Sequence, residues 1–126
     1  YGSAGYLAPR QPPKTIDDLA DHLFVTGGDN LSHIASMKWL AARTGKADPV
    51  YRASSMLLLL AAARDGIGIA CLPRYLGDRE KGLKQVLDLP AETGAELWIL
   101  RHPHHRDTAR MRAFSDFMSA HIPELL

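Results

Sequence analysis

Apolar residues fall along this chain in two alternating patterns, short continuous runs of strand length and longer stretches at helical spacing. After a proline-rich connector, Ala8 to Pro13, Thr15 opens a short helix over Ile16 to Asp21. Asp18 takes the acceptor role of a capping box there. His22-Leu23-Phe24-Val25-Thr26 is a run ended by Gly27-Gly28 and reads as a buried strand. Asp29 or Asn30 caps a second helix running towards Arg43, with Gly45 as its stop and Pro49 beyond.

The firmest unit runs from Ser54 to Pro73. Val50 to Ala53 reads as a strand, and Ser54 or Ser55 then caps the most apolar helix, Met56 to Ala63. Being apolar all round, that helix is expected to be covered on more than one side. Gly66 supplies a left-handed stop, and Ile67 to Leu72 reads as a strand ended by Pro73. Leu83, Leu87 and Leu89 alternate on one further strand. Leu97-Trp98-Ile99-Leu100, apolar on both faces, is expected at the centre of a sheet. A last helix from about Asp107 carries Met111, Phe114, Phe117, Met118 and Ile122 on one stripe. Strand and helix patterns alternate throughout, so the expected class is α/β.

A chain of 126 residues fits one domain, and a hydrophobic fraction of 46% supports a core without disulfides or metals. A net charge of +1 advertises no nucleic-acid surface. The single cysteine, Cys71, sits in an apolar run as a small buried hydrophobe and suits a reducing, cytoplasmic setting. Tyr1 to Tyr6 lacks the pattern of a targeting segment, and the longest apolar run falls far short of the ~20 residues of a membrane span.

Catalytic patterns are missing: no nucleophile elbow, no phosphate loop and no His-Glu-x-x-His. Gly66-Ile67-Gly68 precedes a strand instead of following one, which rules against a dinucleotide fold. His102, His104 and His105 with Asp107 invite a zinc reading, but Pro103 interrupts them. A solvated loop is the expectation, with no metal and no cofactor. Arg101, Arg106, Arg110 and Arg112 in the same region read as a solvated or salt-bridged rim.

The polar groups best placed for binding are Thr26 with Gly27 and Ser54 with Ser55. Each pair stands at an element end, where hydroxyls and backbone N–H groups are available in open α/β sheets. Either pair can equally be a simple turn or cap, and one hydroxyl can serve both roles.

Taken in order, Ala53-Ser54-Ser55-Met56, Leu60-Ala61-Ala62, Asp65-Gly66-Ile67-Gly68-Ile69-Ala70 and Leu72-Pro73-Arg74-Tyr75-Leu76 resemble the effector-binding domain of LysR-type transcriptional regulators. Tyr6-Leu7, Asp18-Leu19 with His22, Gly82 to Leu87, Glu96 to Leu100, His102-Pro103 and Ala109 to Phe114 extend the resemblance over nearly the whole chain. It implies a fold like the periplasmic binding proteins, two α/β lobes with a small-molecule effector between them. Residues 1–103 would be the second lobe, and 104–126 a loop and helix returning to the missing first lobe. It implies no enzyme but a sensor that forms homodimers or homotetramers and meets DNA through an N-terminal helix-turn-helix absent from this chain. Carried over by position, Thr26, Gly27, Ser54, Ser55 and Met56 would face the effector, a small carboxylate or other anion. A solute-binding protein of a transport system is the alternative.

Overall fold

The computed structural model describes residues 1–44, 49–104 and 108–124. They form two compact units, Tyr1–Gly94 and Ala95–Leu126, and the class is mixed α/β. In the first unit β1 (Gly2–Ser3), α1 (Ala4–Leu7), β2 (Phe24–Gly27), α2 (Ala35–Thr44), β3 (Tyr51–Ala53), α3 (Met56–Arg64), β4 (Ile69–Ala70), α4 (Arg74–Gly77) and β5 (Leu83–Lys84) follow in order.

Three strands run parallel in the order β3-β2-β4. Thr26 stands in register with Arg52 and Gly27 with Ala53, while Phe24 and Val25 face Ile69 and Ala70. β1 pairs antiparallel with β5. Tyr1 joins the two sheets: its backbone nitrogen donates to the Ala70 carbonyl at 2.8 Å, and the Ala70 N–H donates back to the Tyr1 carbonyl at 2.9 Å.

Alternation along the strands divides the core between the two faces. Phe24 and Ile69 bury with Trp39 and Leu40 of α2. Val25, Ala53 and Ala70 bury with Leu59, Ala62 and Ala63 of α3, and Met37 near the start of α2 joins them. Right-handed crossovers from β2 to β3 and from β3 back to β4 require the two helices to lie on opposite faces.

α3 follows the expected plan at both ends. Ser55, extended at φ −147° and ψ 158°, accepts from the Leu58 N–H, and Gly66 turns the chain at φ +79°. Leu59 and Ala63 are fully buried, and removing a leucine side chain from water stabilises a fold by about 1.5–3 kcal/mol. Cover on several sides is not what the structure shows, however. Leu57 and Leu58 are exposed, because the sheet takes only the Leu59–Ala62–Ala63 face.

The helix expected over Ile16 to Asp21 is a 3-10 turn, Asp17–Asp21. Its box forms nonetheless, with the Thr15 N–H donating to the Asp18 carboxylate at 2.9 Å and the Asp18 N–H to Thr15 Oγ1 at 3.4 Å. The second helix starts later than expected, after a separate 3-10 turn at Asp29–Leu31. Its expected stop, Gly45, lies outside the described residues. The strand expected over Ile67 to Leu72 pairs only at Ile69 and Ala70, and of the Leu83–Leu89 stretch only Leu83–Lys84 is strand.

In the second unit the apolar stretch Leu97 to Leu100 forms no strand, and Leu97, Trp98 and Leu100 are well exposed. Apolar character marks a segment for burial, but a strand also needs a ladder partner, and none pairs with it among the described residues. α5 (Ala109–His121) is capped by Thr108, whose Oγ1 accepts from the Met111 N–H.

Candidate functional site

The parallel pairing of β2 and β3 brings the two sequence-distant candidate pairs together. Thr26 and Gly27 end β2, and one strand away Ala53 leads through Ser54 into Ser55 and α3. Past the strand end, the Gly28 N–H donates to the Ala53 carbonyl at 2.8 Å and fastens the two carboxyl ends to each other. β2 hands the chain to α2 on one face and β3 hands it to α3 on the other. The carboxyl ends of the strands are the usual place for ligands in open α/β sheets, and both pairs stand at that end of this one.

Each candidate has a local structural duty. The Thr26 hydroxyl donates to Met37 Sδ at 3.8 Å, so it faces α2. Gly27 is buried beneath the following turn, and a Cβ built on it would stand 2.5 Å from Leu31 Cβ. Ser55 Oγ accepts from the Leu58 N–H at 3.4 Å. Ser54 is exposed and Met56 half-buried. Met56 packs on the core of the α3 face together with Leu31, Ile34 and Leu60. The neighbouring strand ends therefore bring the hydroxyls of Thr26, Ser54 and Ser55 to one end of the sheet, with Met56 packed on the adjoining core.

Two surface hollows lie elsewhere in the first unit. One of about 430 Å³ opens at the far end of α3, between Tyr6, Arg10, Arg64 and Gly66. The other, about 500 Å³, lies along the proline-rich connector against Lys14, Asp18 and His22. None of the five candidate residues lines either. Arg52, which no motif marks in the sequence, stands beside Thr26 in the ladder and is exposed.

The histidine-rich loop shows His102 and His104 stacked at 5.3 Å between ring centroids, with the His104 N–H donating to His102 Nδ1 at 3.3 Å. His105, Arg106 and Asp107 lie outside the described residues. Among those described, no group of three or more His, Cys, Asp or Glu side chains could hold a metal ion. Nor is any described helix long and apolar enough to cross a membrane.

Comparison with known proteins gives the site a context. Residues 1–123 match the LysR substrate binding domain. The chain is 30% identical over 132 residues to a probable HTH-type transcriptional regulator LtrA of Klebsiella pneumoniae, an alignment covering 95% of this chain and 41% of that protein. The chain thus spans about two fifths of the length of that curated relative. No solved structure matches it. With the family match running through nearly every described element, this chain belongs to the LysR substrate-binding-domain family.

Proposed function

We propose that the chain is the effector-sensing part of a bacterial LysR-type transcriptional regulator, working in the cytoplasm. The carrying observation is the meeting of Thr26 and Gly27 with Ser54 and Ser55 at the neighbouring carboxyl ends of β2 and β3, in a chain of this family. In this reading residues 1–103 are the second lobe of a two-lobed domain of the periplasmic-binding-protein type. Residues 104–126 return to a first lobe supplied by the rest of the protein. Exposed Phe114 and Phe117 on α5 support that assignment, since an apolar stripe of this kind calls for a partner surface.

A small-molecule effector, a carboxylate or other anion, would sit between the lobes against Thr26, Gly27, Ser54, Ser55 and Met56. Its binding closes the cleft and shifts the population of a homodimer or homotetramer, repositioning the DNA-binding parts. The domain binds and does not catalyse, and it needs no cofactor.

The test uses the complete regulator and a thermal-shift screen against metabolites, because a ligand selective for the folded state raises the melting temperature. With a ligand in hand, Thr26→Val and Ser55→Ala are each expected to weaken affinity about tenfold, the loss of one hydrogen bond to a charged group. Unchanged affinity in both removes these residues from the site.

A further inference from the structure

Arg52 is the charged residue nearest in register to the candidate strand ends. It stands in register with Thr26 on the adjacent parallel strand. Residues paired in this way carry their side chains on the same face of the sheet, within reach of one ligand. Alternation along β2 sets that face, placing Thr26 on the side of Phe24, which buries with Trp39 and Leu40 of α2. Arg52 lies two residues before Ser54, at the carboxyl end of β3, which is an edge strand.

Arg64 pairs with Asp65 and Arg74 with Asp88. Arg10 and Arg43 lie instead over the rings of Tyr6 and Trp39. Arg52 has no such partner among the described residues, and its side chain is exposed. An unengaged guanidinium beside a threonine hydroxyl offers a planar fork of donors to a carboxylate, a geometry that an ammonium reproduces only as a point charge.

We propose that Arg52 is the specificity-determining residue of this candidate site, selecting effectors that carry a carboxylate, with the Thr26 hydroxyl turning from Met37 Sδ to donate the companion hydrogen bond. The inference rests on the effector-sensing reading above and goes further by assigning the charge recognition to one residue outside the five already named.

The experiment compares acids with their neutral amides on the full-length regulator: benzoate with benzamide, hexanoate with hexanamide, succinate with succinamide. Melting temperature and calorimetric affinity are read for the natural protein, Arg52→Gln, Arg52→Lys and, as a control for net charge, Lys84→Gln at the exposed residue of β5. At least one acid is expected to raise the melting temperature while its amide does not. Arg52→Gln should weaken that acid at least tenfold, Arg52→Lys should weaken it less, and Lys84→Gln should leave it unchanged. Binding of amides as tightly as acids, or an acid affinity untouched by Arg52→Gln, overturns the assignment and leaves effector sensing standing. A natural protein stabilised by acids only through a change that Lys84→Gln also abolishes overturns it as well. If neither acids, amides nor a wider metabolite set shift the melting temperature, both the assignment and the sensing reading fall.

Discussion

Gly27 and Leu31 approach so closely that a methyl group on Gly27 would stand 2.5 Å from Leu31 Cβ. Space, not backbone conformation, demands glycine here, since Gly66 is the one described glycine with positive φ. Gly27→Ala is therefore expected to destabilise the fold by about 1–3 kcal/mol, the usual cost of overpacking. Because the obstructing atom is a Cβ, Leu31→Ala should not relieve the clash, whereas Leu31→Gly should. Urea denaturation of the single and double variants measures the coupling; full additivity would disprove the contact.

Ser55 serves as cap and as candidate ligand group, and the two duties separate by substitution. Ser55→Ala is expected to cost about 1 kcal/mol of stability through loss of the cap. Ser55→Asp keeps an N-cap acceptor and should restore that stability. It should still bind an anionic effector worse than the natural protein, because it places a like charge beside the ligand. Denaturant midpoints and calorimetric affinities, taken on the same three proteins, distinguish a cap alone from a cap that also binds.

The sequence shows this dual role only in part. The α3 unit was legible because Ser55, an unbroken apolar run and Gly66 each act locally. Thr26-Gly27 and Ser54-Ser55 were legible as separate element ends. Their meeting was not, since it depends on β3 lying beside β2 in a register that no local pattern encodes. Two-residue strands such as Gly2–Ser3 are too short to show periodicity, and their pairing with Leu83–Lys84 is a long-range fact. Leu97 to Leu100 misled for the opposite reason: an apolar run states that burial is wanted without stating against what. Arg52 went unmarked because a lone arginine in a strand belongs to no motif.

Tyr1 makes stability sensitive to alkaline pH. Its hydroxyl donates to Asp78 Oδ1 at 2.6 Å, and burial, followed by that hydrogen bond, pushes the phenol up to about 12. An unfolded tyrosine loses its proton near pH ~10. The folded state then holds a proton that the unfolded state has released, so the stabilisation is full below that pH and disappears as pH climbs towards the folded value. Urea midpoints should fall between about pH 10 and about pH 12 in the natural protein and fall less in Tyr1→Phe. Parallel slopes would show that the Tyr1 hydroxyl carries none of this dependence.

Cys71 is expected to behave as core and not as a reagent. Burial raises its thiol above the ordinary value, outweighing a hydrogen bond from Ser36 that acts the other way. Because the thiolate is the reactive form, Ellman's reagent should modify folded protein at least tenfold more slowly than urea-unfolded protein at the same mildly alkaline pH. Equal rates would contradict the burial.

The mutual hydrogen bonds of Tyr1 and Ala70 tie residues 69 positions apart. That pair joins the residue before β1 to β4, so the two small sheets meet through a long-range closure. Such closures carry a loop entropy that local turns avoid, and they slow the approach to the native state. During synthesis Tyr1 emerges long before Ala70, and the β4 edge does not yet exist to receive it. β2, α2 and β3 can associate first, with Tyr1 waiting outside. Its docking is therefore expected to follow the pairing of β2 with β3, as the step that turns a partial sheet into a finished one.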